Sequence, residues 1–402
     1  MHLRHKPPAA AAAVIGLTVA SLLLAGCAAD GGPQPTGDPI VVGSINAISG
    51  ALQLAESSQA AAAVFDQYNA DGGLNGRPIQ YVMLDDKGDP STSSAAARDV
   101  VGQQGAVAMV GSASLIDCEV NHAYYAEEGI ISIQGTGADS FCFSTPDISP
   151  INGGPYLGAT LMLNYGTAEL GLESICGVLL VGGSVREAYQ AAFDAWTDAT
   201  GADFTMLDDT APYGASDWTP YVVKVKEAGC DALFTNAPEA DAVGLMKAAE
   251  AQGLNNLTYL TLTGVYTQAF AQTTTFDGNG LYTLAEFAPY IDVENEDTND
   301  WRTLMESKGI PLTSFGQGGY IAAKHFIEVL ESIEGDITRE SVTAAFKGMT
   351  EGLESSMTGT PWIFGPGKSH NSNTSGWPLK LDTTAGSWAD AAGGWTTLAD
   401  YE

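Results

Sequence analysis

Positive charge is what this chain has least of. Its 402 residues carry 16 Lys and Arg against 48 Asp and Glu, a formal net charge of -32. Loss of an N-terminal segment holding Arg4 and Lys6 leaves 14 basic against 48 acidic side chains, or -34. A surface of that sign repels phosphate backbones and anionic lipid, and no basic cluster offsets it, so nucleic acid is not expected as a partner. Acidity by itself names no cationic ligand, because it also serves solubility. Histidine is scarce as well: beyond residue 26 only His122, His325 and His370 remain, far apart, without the Cys/His spacing of a zinc site. No metal and no cofactor are expected. No later stretch is apolar for the roughly 20 residues that a membrane span needs. Catalytic signatures are missing too. There is no Gly-x-Ser-x-Gly elbow, Gly367-Lys368-Ser369 has Trp362 where a phosphate-binding loop needs its first glycine, and Asp85, Asp86 and Asp89 lack EF-hand spacing. An enzyme is not expected.

What is present begins with a leader. Arg4 and Lys6 precede an apolar stretch over 9–25 that ends Leu24-Ala25-Gly26-Cys27, the charged and hydrophobic regions of a secretory signal over 1–26. The last four residues resemble the bacterial lipobox, which implies lipidation of Cys27 and an extracytoplasmic protein held to the outer face of the cytoplasmic membrane by that lipid alone. Residues 28–37, rich in Gly and Pro, read as a flexible tether. Four cysteines remain, Cys118, Cys142, Cys176 and Cys230. In an exported chain these suggest two disulfides, with three possible connectivities.

About 365 mature residues are too many for one core, so two domains are the natural expectation. Strand-like and helical patterns alternate four times over 40–133, which points to an α/β fold with a parallel, doubly wound sheet. Apolar runs at 107–110 and 130–133 each stop in small polar residues, and ligands of such sheets bind at the carboxyl ends of strands. Residues 112–114 and 135–137 are therefore the first candidate binding surface. The stretch 144–155, with three prolines and paired glycines, reads as a crossover. The alternation then restarts over 175–262, a weak internal repeat. Helical spacing returns at 299–307 and 315–334, the latter with Tyr320, Ala323, Ile327 and Leu330 on one face. The tail from Thr358 carries Trp362, Trp377, Trp388 and Trp395 among Gly, Ser, Thr and Asn, and suits short strands packed on a domain edge, with the tryptophans in the core.

Several segments together carry a family resemblance: V-V-G-S-I-N-A-I-S-G, Y-N-A-D-G-G-L-N-G-R-P-I, D-D-K-G-D-P, V-A-M-V-G-S-A-S and E-E-G-I-I-S-I, then D-A-L-F-T-N-A, A-E-A-Q-G-L and G-Y-I-A-A-K-H-F-I-E-V-L. In this order and spacing the chain, over 39–347, resembles the type I periplasmic binding proteins, in the branch of the leucine, isoleucine and valine binding proteins of ABC importers. The resemblance implies two doubly wound lobes joined by three crossovers, with ligand trapped between them by hinge closure. Mapped here, one lobe is 38–149 plus 290–349 and the other is 150–289 plus 350–402, with crossovers near 144–155, 286–290 and 351–362. It also implies a monomer that passes an amino acid or similar small polar metabolite to a permease with ATPase subunits. The alternative is a receptor of the same fold that signals ligand to a membrane partner.

In relatives that bind amino acids, the carboxylate is held by the loops after the third and fourth strands. Here those are Ser112, Ala113, Ser114 and Leu115, then Gly135, Thr136 and Gly137, and hydroxyls with free N–H groups at a helix start suit an anion. The match has gaps. The usual serine falls at Leu115, leaving Ser114 as its neighbour. Val185 stands where a tyrosine is common, and Thr263 where an acidic group would meet an ammonium. Glu239 or Asp117 would have to supply that charge, since a buried ammonium without a counter-charge is costly, while Arg186 beside the cleft favours an anion. The order of strands in the family pairs Cys118 with Cys142, just after the two loops, and Cys176 with Cys230, on neighbouring strands.

Overall fold

The computed structural model describes residues 35–401 apart from 51, 183, 184, 276 and 277. The leader and the expected lipidation site Cys27 lie outside the described residues. Within them the alternation of the sequence is realised twice. The first sheet is built from β1 (Ile40–Asn46), α1 (Ala55–Ala70), β2 (Ile79–Asp85), α2 (Pro90–Ala97), β3 (Ala108–Ser114), α3 (Asp117–Glu128), β4 (Ser132–Gly137), the short α4 (Phe141–Ser144) and β5 (Ile148–Pro150). Its strands are all parallel, in the order β2-β1-β3-β4-β5. After α5 (Gly154–Ala168) the second sheet follows: β6 (Ile175–Val178), α6 (Val185–Thr200), β7 (Met206–Asp208), α7 (Thr219–Ala228), β8 (Ala232–Thr235), α8 (Glu239–Ala251), β9 (Thr258–Thr261), α9 (Gln268–Thr273) and β10 (Gly280–Ala285). Its parallel part runs β7-β6-β8-β9-β10, the same order as the first sheet. The repeat that is weak in the sequence is therefore explicit in the topology.

The chain then returns. Helices α10 (Glu296–Lys308), α11 (Ser314–Glu331) and α12 (Arg339–Lys347) join the first sheet, with α11 lying along α1, β3 and β4. That approach requires glycine. A Cβ on Gly318 would overlap the Gly135 carbonyl, one on Gly319 the Ser57 carbonyl, and one on Gly135 would come 2.8 Å from the Gly319 nitrogen. Of the face that the helical spacing predicts, Tyr320, Ala323 and Leu330 are buried and Ile327 is half-buried. Residues 353–370 also stay with the first sheet, where Trp362 stacks on His325 and its Nε1 donates to the Pro150 carbonyl. The chain meets the second sheet only with β11 (Ser375–Asp382), later than the Thr350 that the family pattern suggests. There β11 and β12 (Ser387–Asp390) add antiparallel strands beyond β10, and β13 (Thr396–Thr397) pairs with β11. Trp362 and Trp388 are buried, and Trp377 packs edge to face on Trp395. Both disulfides take the expected pairing, Cys118 with Cys142 and Cys176 with Cys230.

One expectation about the first lobe is corrected. The strands do not end at Val110 and Ile133; β3 runs on to Ser114 and β4 to Gly137. Gly111, at φ 74°, absorbs a register shift in β3, after which the polar residues find partners inside the sheet. Ser112 Oγ accepts from Ile45 N at 3.1 Å, and Ala113 N donates to Asn46 Oδ1 at 2.9 Å. Small polar residues marked a tightly packed strand here, not a loop.

Candidate functional site

A cleft of about 660 Å³ separates the two lobes, at the carboxyl ends of their strands, where doubly wound sheets bind ligands. One wall comes from the first lobe: Leu52, Leu54 and Glu56 before and within α1, Leu115, Ile116 and Glu119 at the start of α3, Thr136 to Ala138 after β4, and Phe315 on α11. The facing wall comes from the second lobe: Val185 and Tyr189 on α6, Tyr213, Asn236, Glu239 and Asp241 at the start of α8, and Thr263 after β9. The floor is the crossover region, with Asn152, Gly154, Leu284 and Glu286.

The crossovers are tied together by one buried carboxyl. Glu286 Oε1 accepts from Asn152 Nδ2 at 2.8 Å and from Gly154 N at 2.9 Å, while Asn373 Nδ2 donates to the Glu286 carbonyl at 3.1 Å. Asn152 also accepts from Gly137 N at 2.7 Å, which fixes the end of β4. Burial of Glu286 outweighs these two donors and pushes its pKa up to about 7. Burial likewise raises Glu56 and Asp241, the latter despite donation from Gly214 N. Glu239 accepts from Thr267 Oγ1 at 2.7 Å. Tyr189 receives Asn236 Nδ2 at 3.0 Å and meets Tyr156 edge to face.

Within the cleft lining two buried hydroxyls, and Glu56 Oε2, have no hydrogen-bond partner. Thr136 is 6% exposed, and its Oγ1 makes no hydrogen bond; Thr263 Oγ1, on the opposite wall, is buried and equally unpaired. A buried hydroxyl costs about 1–3 kcal/mol when left unsatisfied. Each of the two keeps its capacity to donate and accept a hydrogen bond.

Of the sequence-derived candidates, Leu115, Thr136, Gly137, Val185, Glu239 and Thr263 line the cleft. The others do not. Ser112 and Ala113 are fully buried in β3, and Gly135 is spent on the approach of α11. Ser114 Oγ donates to Asp86 and accepts from both Ile116 N and Asp117 N at 3.0 Å, so it caps α3 itself. Arg186 pairs with Asp209 outside the cleft lining. Asp117 cannot meet an ammonium, because it is fully buried with Asn121, Tyr125 and Gln134. Glu286, Asn152, Tyr189, Tyr213 and Asp241 were missed. A lone Glu in the apolar run Leu-Ala-Glu-Phe-Ala was a usable signal for the first, and Tyr189, one helical turn beyond Val185, for the third. As for metals, Cys118, Asp139 and Cys142 lie within 4.8 Å of one another, but both sulfurs belong to the disulfide.

Two doubly wound lobes around a cleft with polar groups on both faces define a bilobal solute-binding protein. A model of the periplasmic binding protein family matches residues 39–385, and the chain belongs to that family. It is 22% identical over 297 residues to Leu/Ile/Val-binding protein homolog 3 of Brucella melitensis, covering 71% of this chain and 75% of the relative. Among solved structures it resembles a fatty acid ABC transporter substrate-binding protein from Thermomonospora curvata, with a TM-score of 0.75 at 17% identity, covering 90% of this chain and 93% of that one. A leucine binding protein from Thermotoga maritima gives a TM-score of 0.74 at 12% identity, covering 90% and 99%. A solute binding protein from Rhodopseudomonas palustris in complex with 3,4-dihydroxy benzoic acid gives 0.75 at 16% identity, covering 90% and 98%. Members of the family are extracytoplasmic solute-binding proteins of ABC transporters rather than enzymes. Among the described residues no helix is long and apolar enough to cross a membrane.

Proposed function

We propose that this protein is the substrate-binding lipoprotein of an ABC importer, anchored through Cys27, which closes on a small metabolite and delivers it to the permease and its ATPase subunits. The ligand is an amino acid or a metabolite of similar size and polarity. The observation that carries this reading is the pair of unpartnered hydroxyls, Thr136 and Thr263, one on each wall of the cleft. A solute that satisfies both stabilises the closed arrangement, and the crossovers held around Glu286 are the connections about which hinge closure would take place.

A thermal-shift screen of the mature chain against amino acids, amides, amines, and aliphatic and aromatic acids tests it. A binder present at 100 times its Kd adds about 2.7 kcal/mol to stability, which is several degrees for a protein of this size. No shift from any solute at millimolar concentration would refute the solute-binding reading. Mass spectrometry of the N-terminal peptide tests the anchor: a diacylglyceryl group on Cys27 is expected, and a free Cys27 thiol in the exported protein would refute it.

A further inference from the structure

We infer that the solute is an organic ammonium with an apolar body and no carboxylate of its own. This rests on the solute-binding reading and narrows it. Three observations converge on it.

The first is charge. Among the described residues lining the cleft are five carboxyl groups, on Glu56, Glu119, Glu239, Asp241 and Glu286, and no Lys, Arg or His. Arg186 is held by Asp209 outside the lining. A ligand carboxylate moved from water into this cleft would meet acidic side chains on both walls, with no counter-ion in the lining. A cation meets the opposite field.

The second is that most of the seat a carboxylate would need is already taken. The start of α3 is the natural anion site of the first lobe, because its leading N–H groups point out of the helix. Ile116 N and Asp117 N are both donated to Ser114 Oγ at 3.0 Å, and Glu119 N to Asp139 Oδ2 at 3.1 Å. The protein's own oxygens thus occupy the N–H groups of residues 116, 117 and 119, three of the four at the helix start that would hold an incoming anion.

The third is what remains open. Thr136 Oγ1, on a residue 6% exposed, and Thr263 Oγ1 are unpaired. Each hydroxyl accepts from an ammonium as readily as it donates. Leu52, Leu54, Leu115, Leu262, Leu284 and Phe315 supply the apolar surface for the body of the ligand.

Matched sets of probes decide the matter by calorimetry on the full mature chain. One set is 2-phenylethylamine, phenylalanine and 3-phenylpropionate; the other is 3-methylbutylamine, leucine and 4-methylpentanoate. The expected result is that in at least one set the amine binds tenfold or more tighter than both the amino acid and the acid. Glu239→Gln should then weaken the amine by at least fivefold. An amino acid or acid binding as tightly as its amine, or a binder of neutral or acidic class from the wider screen with no amine binding, overturns the inference and leaves solute binding standing. Silence of both sets and of the wider screen overturns both.

Discussion

Glu286→Gln is the sharpest perturbation the structure offers. The carboxyl is 6% exposed and lies where the chain passes between lobes, and its pKa rises from 4.5 to about 7 because burial disfavours the charge more than two hydrogen bonds favour it. A carboxyl whose pKa is raised on folding binds its proton more tightly in the native state than in the unfolded one. Between about pH 4.5 and 7 the unfolded chain has released that proton and the native chain has not, so stability falls as pH rises through this window. At about 1.4 kcal/mol per unit, the loss across the window is about 3 kcal/mol. Glutamine keeps an oxygen that can accept from Asn152 Nδ2 and Gly154 N, and it carries no charge. The variant is therefore expected to match the wild type near pH 4.5 and to exceed it by up to about 3 kcal/mol at pH 8. Urea unfolding of both proteins at half-unit steps from pH 4.5 to 8.5 measures this. Asp139, buried and likewise raised to about 7, slopes both curves equally and cancels in their difference. A difference that stays flat across the range would refute the assignment of a buried, proton-holding carboxyl to the crossover.

Other substitutions separate ligand contacts from packing. Thr136→Val removes an unpartnered hydroxyl, so the ligand-free protein should keep its stability or gain up to about 1 kcal/mol while affinity for the solute drops by at least about 1 kcal/mol; unchanged affinity in a titration would remove Thr136 from the site. Gly319→Ala places a methyl against the Ser57 carbonyl and should cost about 3 kcal/mol in a denaturant melt, and a neutral result would contradict the packing of α11 on α1. Cys118→Ala with Cys142→Ala opens a link with a sequence separation of 24, expected to lower stability by about 3 kcal/mol on the chain-entropy account. Melts of the double variant check this, a loss under about 1 kcal/mol being the contrary result.

Much of the architecture could be read from periodicity, because each lobe repeats a short local grammar of apolar strand, turn and amphipathic helix. Asp89 and Pro90 announce the start of α2, where Asp89 Oδ1 takes Thr92 N at 2.8 Å, and Gly129 at φ 62° ends α3. The course of residues 353–370 was not readable. Trp362 settles it by contacts with His325 and Pro150, and partners 37 and 212 positions away leave no local pattern. The same holds for the crossover cluster, since Asn152, Glu286 and Asn373 are far apart in sequence and meet only in the fold.

The site was half legible for a different reason. Residue type tells which side chains can make hydrogen bonds but not whether the fold has already used them. Ser112, Ser114 and Thr136 look alike in sequence, all hydroxyls at strand ends of the first lobe. Ser112 closes on Ile45, Ser114 caps α3 and holds Asp86, and Thr136 alone is left open. The departure already visible in the sequence, a leucine at 115 where a ligand serine is usual, puts an apolar side chain in the cleft lining beside the engaged Ser114. The hydroxyl one residue earlier turns inward and takes two of the helix-start N–H groups itself. Helix-start donors mostly engaged by the protein's own oxygens, beside acidic side chains on both walls, are what the proposed preference for a cation rests on, within an unchanged fold.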